Sequence, residues 1–142
     1  MLTASQLSIA EIKSDEAYEA LKSIEIYAMG PTGISGSTSQ GEKYFWSIYD
    51  RPDALHHFER LFKEGNIQAK SYALTGLYLI DKKQFDARSI SYVNEKSKVE
   101  IMEGCIVSHK SAPDLLKDIQ SEEYKAYLKP PKKQNKSVEP TS

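Results

Sequence analysis

Three groups of residues in this 142-residue chain have types and spacings that could do chemistry. The first is GPTGISGSTSQGE, Gly30 to Glu42, which concentrates four of the seven glycines among serines and threonines. That composition suits a phosphate cradle. A P-loop, however, needs Gly-x-x-x-x-Gly-Lys followed by Ser or Thr, because the lysine reaches the terminal phosphates and the hydroxyl holds magnesium. Here Lys43 follows Gly41-Glu42, and no strand is predicted ahead of the loop, as a dinucleotide fingerprint requires. Ser39-Gln-Gly-Glu42 fits a capping box instead: the Ser39 hydroxyl accepts from the Glu42 amide, and the Glu42 carboxylate reaches back to Ser39. The stretch therefore reads as a lead-in to a helix. A small-ligand or anion-binding role for residues 30–41 is the competing reading, and Glu42 would oppose an anion there.

The second group is Cys105 and His109, four residues apart, with Asp114 beyond. A hydrolase-like nucleophile–base pair would need an activated thiolate beside the imidazole. The neighbours Gly104, Ile106 and Val107 predict a buried, inert thiol instead. The third is His56-His57. Adjacent helical residues point about 100° apart, so the two rings do not converge on one ion. A zinc-protease helix needs histidines four apart with a glutamate beside the first. No metal site and no cofactor are predicted. Glu100, Glu103 and Asp114 are ordinary surface acids unless a cleft gathers them.

The elements that must position these residues read as helices separated by punctuation. Apolar spacing predicts a helix over 15–28 (Ala17, Ala20, Leu21, Ile24, Tyr27, Ala28), capped by Ser14 and stopped by Gly30-Pro31, with a shorter helical turn over 7–12 ahead of it. Tyr44, Phe45, Ile48 and Tyr49 mark a short helix. Asp50-Arg-Pro-Asp53 predicts the next start, with Asp50 as cap, and Leu55, Phe58, Leu61 and Phe62 carry that helix to Gly65. Residues 67–80 are apolar on more than one face, and their length and alanines predict a central helix over the competing reading of a buried strand at 73–80. Asp81 caps a further helix through Val93. Residues 98–108 predict a small β-hairpin or an extended connection around Glu103-Gly104. Ser111-Ala-Pro-Asp114 opens the last well-formed helix.

The expected fold is thus all-α: a single compact domain over 1–128, built from antiparallel helix hairpins. The helix pair 53–64 and 67–80 resembles one unit of a HEAT-type repeat, in which such pairs stack. The final KPPKKQNKSVEPTS, 129–142, carries four lysines against one glutamate and predicts a disordered tail. GISGSTSQGE, AKSYALTGLYLIDKKQFD and GCIVS, spanning roughly 14–120, resemble a group of uncharacterised small bacterial helical proteins. That resemblance implies export in many cases and supplies no catalytic residue.

Composition excludes several classes. A net charge of −1 with only three arginines among 19 basic residues leaves no footprint for nucleic acid. The uncharged apolar stretch Ser71 to Ile80 is too short for a membrane span. One cysteine suits a reducing compartment, cytoplasmic for the chain as given, or periplasmic if a signal peptide was removed. The expected function is a non-catalytic protein-binding module of inhibitor or immunity type, its partner an unspecified protein. The candidate surface comprises Ser35, Ser37, Thr38, Asp50, Arg51, His56 and His57.

Overall fold

A computed structural model describes the main chain of residues 9–32 and 37–129. Ser35, residues 1–8 and residues 130–142 of the expected tail lie outside the described residues. Among those described, seven helices dominate: α1 (Ile9–Lys22), α2 (Gln40–Tyr49), α3 (Ala54–Glu64), α4 (Ile67–Ile80), α5 (Lys82–Tyr92), α6 (Ala112–Ile119) and α7 (Glu122–Lys125). The protein is therefore mainly helical. Two small antiparallel ladders accompany the helices: β1 (Pro31–Thr32) with β2 (Ser37–Thr38), and β3 (Val99–Glu103) with β4 (Ile106–Lys110).

The order of packing follows from α4. Its apolar residues surround the whole helix, so it has to sit where every face finds cover. It packs on α1, α2, α3, α5, α6 and β3. Ala69, Tyr72, Ala73, Leu74 and Leu77 are fully buried, against a core that includes Phe45, Phe58, Leu61, Phe85, Tyr92, Val99 and Leu115. Gly76 lets α3 approach closely: a Cβ there would stand 2.5 Å from the Phe58 ring.

Two hydroxyls of α4 are buried with the apolar residues, and both are satisfied. Thr75 Oγ1 donates to the Ser71 carbonyl at 2.8 Å, and Ser71 Oγ donates to the Ile67 carbonyl at 2.8 Å. Each hydroxyl has one proton, so the tyrosines must donate to them: Tyr27 Oη to Thr75 at 2.7 Å and Tyr92 Oη to Ser71 at 2.6 Å. A polar line thus crosses the core without an unpaired group.

Helix caps match the expected chemistry at Ser39, Asp81 and Ser111, each accepting from a first-turn amide. Three expectations are corrected. The helix predicted over 15–28 begins earlier, at Ile9, and ends at Lys22, so Ser14 lies inside it. Residues beyond Lys22 are extended because Tyr27 pairs in parallel with Ile101: its amide donates to Glu100 O at 2.8 Å, and its carbonyl accepts from Met102 N at 3.1 Å. Asp50 ends α2 rather than starting α3, and Asp53 stands at the N-cap of α3 without a side-chain cap bond, because its carboxylate is occupied by Arg51. The Gly/Ser stretch is more than a lead-in, since its two arms pair as β1 and β2.

Candidate functional site

Glu42, in the first turn of α2, organises the region around the Gly/Ser stretch. The Ser39 hydroxyl accepts from the Glu42 amide at 3.0 Å and donates to the Ala28 carbonyl at 2.8 Å. The first half of the expected capping box is present. The second half is not: the Glu42 carboxylate does not return to Ser39. One oxygen accepts from the Gly30 amide at 2.9 Å and the other from the Trp46 indole N–H at 2.8 Å. Gly30 has φ 92°, and Tyr127 lies 2.9 Å from where a Cβ would stand, so glycine is required there. A buried carboxylate thus fixes the chain reversal on one side and the indole on the other.

Two cavities flank this anchor. One, of about 410 Å³, is walled mainly by apolar groups, including Ile24, Ile26, Gly41, Tyr72 and Met102, with Glu25 also lining it. The Tyr72 hydroxyl accepts from the Ala28 amide at 3.0 Å, and burial pushes its pKa up to about 12, so it is a neutral group. The second cavity, of about 350 Å³, is lined by Thr38, Lys43, Trp46, Ser47 and Asp50.

The candidate residues fall into two adjoining sets. Thr38, from β2, and Asp50, from the end of α2, both line the second cavity, and Ser37 is exposed beside Thr38. Arg51, His56 and His57 belong to the start of α3 around Asp53. Arg51 Nε donates to Asp53 Oδ1 at 3.1 Å, and His57 Nε2 lies 3.2 Å from Asp53 Oδ2, an ion-pair separation without hydrogen-bond alignment. The hydrogen bond from Arg51 holds the Asp53 carboxyl below the usual carboxylate range, with the His57 ring adding to the effect. His56 is exposed, its ring 5.9 Å from that of His57. A neighbouring cluster was not singled out from sequence. Tyr18 Oη donates to Glu64 at 2.7 Å under the Arg60 guanidinium, which lies 4.6 Å from the ring centroid. That hydrogen bond holds the Glu64 carboxyl low, and burial raises the Tyr18 hydroxyl.

Cys105 corrects another expectation: it is exposed, at the turn between β3 and β4, not buried. Its apolar neighbours are exposed too, because they stand at the end of an outer strand. His109 lies on β4, its Nε2 3.7 Å from Glu100 of β3. Four residues of extended strand span about 13 Å, which puts the thiol beyond hydrogen-bond reach of the imidazole. Among the described residues no three His, Cys, Asp or Glu side chains gather where they could hold a metal, and no helix is long and apolar enough to cross a membrane.

Glu42 and Trp46 carry the signal that sequence reasoning passed over: a carboxylate and an indole at i, i+4 on one helix are within reach of each other. Met102 gave no such signal, because it reaches its cavity through a strand pairing. Comparison with protein-family models, curated proteins and solved structures returns no match.

Proposed function

We propose that the chain is a non-catalytic module that binds another protein through the surface around the Trp46 cavity. The observation that carries this reading is the convergence of Thr38 and Asp50, from separate segments, on one cavity of about 350 Å³ walled by an indole. The buried indole of Trp46 walls a small recess with Lys43 and Asp50 at its margin, an apolar pocket ringed by charges that suits an anchor side chain from a partner. Arg51 and His56 extend the surface along the start of α3.

The partner we infer presents a basic face. The chain carries −1 and residues 129–142 carry +3, leaving −4 on residues 1–128. An acidic body steers toward a basic partner, which is the manner of an inhibitor or immunity-type protein. The packing of α3 on α4 across the two-residue link Gly65-Asn66 supports a HEAT-like description of that hairpin.

A second reading has its own support. The larger cavity, walled by Gly41 and Ser39 at the end of the 30–41 stretch, suits a small apolar ligand with one or two polar groups. For the hydrolase-like reading, Cys105 is exposed, but the length of β4 separates it from His109.

Affinity capture by the full chain from a lysate of its source, read by native mass spectrometry, tests the proposal. We expect a stoichiometric protein partner on the wild type that is lost from the double variant Thr38→Arg/Lys43→Glu. A partner held equally by both forms would move the interface elsewhere, and a low-mass adduct in place of a protein would favour the second reading.

A further inference from the structure

β4 is the outer strand of its ladder, and its free side can be read from the bonds on the other side of β3. Tyr27 bonds to the Glu100 carbonyl and the Met102 amide, so the peptide groups of residues 100 and 102 face Tyr27. Those of 99, 101 and 103 then face β4. With the register Val99↔Lys110, Ile101↔Ser108 and Glu103↔Ile106, the bonded residues of β4 are 106, 108 and 110. The N–H and C=O groups of Val107 and His109 point outward, and no described residue bonds to them. The strand also leaves Ile106 69% and Val107 47% exposed. A strand with open main-chain groups and uncovered apolar side chains is a template for another strand.

We propose that this edge pairs antiparallel with β4 of a second copy of the chain, about a two-fold axis at Ser108. That is the register that matches all five residues of the strand, Ile106 to Lys110, with their counterparts. Val107 and His109 of the second copy exchange both main-chain bonds, and so do His109 and Val107 of the second copy. Ser108 meets Ser108 in the non-bonded pair between them.

Charge fits the same register. Across one face of the joined sheet the row reads Val99, Lys110, then Ile106 and Glu103 of the second copy. The Lys110 stem covers Ile106, and its ammonium, already paired with Asp118 of its own α6, lies between two carboxylates. Across the other face the row is Glu100, His109, then Val107 and Met102 of the second copy, so Val107 is covered by an imidazole that Glu100 holds from behind. No like charges stand directly opposite one another, and the exposed apolar residues of the hairpin gain cover on both faces. The inference is independent of the Trp46 surface, which lies on other elements.

The register predicts its own crosslink. Cα atoms of a non-bonded antiparallel pair stand about 4.5 Å apart, within the range a disulfide spans. Cys105 and its counterpart would be separated by about 20 Å of strand and would not join. In full-length Cys105→Ser/Ser108→Cys, mild oxidation should convert most of the protein to a covalent dimer on a non-reducing gel. Cys105→Ser/Ser91→Cys, with its thiol on the exposed side of α5, should stay largely monomeric. In sedimentation equilibrium the wild type should show a reversible monomer–dimer equilibrium up to about 200 µM, as mass action requires. Val107→Pro removes an outward N–H without touching a bond to β3, and should weaken that equilibrium by at least about tenfold with unchanged circular dichroism. A wild type monomeric throughout, with Ser108→Cys crosslinking no faster than Ser91→Cys, would overturn the proposal.

Discussion

Glu42 shows what one side chain does here. Its two oxygens satisfy the Gly30 amide and the Trp46 indole, both in a buried setting. Removing the carboxylate strands two donors, and each unsatisfied buried donor costs about 1–3 kcal/mol. Glu42→Ala should therefore lower stability by about 2–4 kcal/mol, and Glu42→Gln, which keeps one acceptor, by roughly half that. Urea unfolding monitored by circular dichroism measures both. Half of this site was legible in the sequence, since Ser39-x-x-Glu42 announces a helix start. The rest was hidden because the Gly30 amide is twelve residues away and reaches Glu42 only through a positive-φ reversal. Cys105 was misread for a related reason. Apolar neighbours suggest core, yet at the end of an outer strand both faces can remain open.

At the scale of elements, α4 was the most legible because its signal is local. An apolar run of helical length between Gly65 and Asp81 specifies a central helix, and the structure places it over Ile67–Ile80. The end of α1 was not legible. Ile24, Tyr27 and Ala28 keep helical spacing, but the main chain there is claimed by β3, some seventy residues later in sequence. Tyr27 and Ala28 still enter the core, from an extended segment instead of a helix face. The α3–α4 contact yields a test of close packing. Gly76→Ala gains about 1 kcal/mol in helix propensity, but its methyl would meet the Phe58 ring, and overpacking costs about 1–3 kcal/mol. Net destabilisation is expected, with Phe58→Leu restoring part of it; a double-mutant cycle of unfolding free energies checks the coupling.

For the whole molecule, the buried tyrosines tie folding to alkaline pH. Burial pushes Tyr72 and Tyr92 up to about 12, and it also raises Tyr27 and Tyr124. A folded-state pKa above the unfolded value of about 10 gives stability that is complete below pH 10 and declines as pH rises toward 12. For Tyr72 and Tyr92 the shift corresponds to about 2–3 kcal/mol apiece. Tyrosinate absorbance at 295 nm should therefore include a step well above pH 10. The buried set should ionise in a cooperative step coincident with loss of helical circular dichroism. A single smooth titration near pH 10, with the helix intact, would contradict this core.

The Glu42–Trp46 bond has one further consequence. Trp46 is the chain's single tryptophan, and it stands edge-on to Phe45 and Tyr49 at ring separations of 4.8 and 5.1 Å. The protein therefore carries an intrinsic fluorophore in the wall of its own candidate binding cavity. Its emission wavelength, its quenching by added solutes and the energy it receives from nearby tyrosines can report occupancy of that recess without any label.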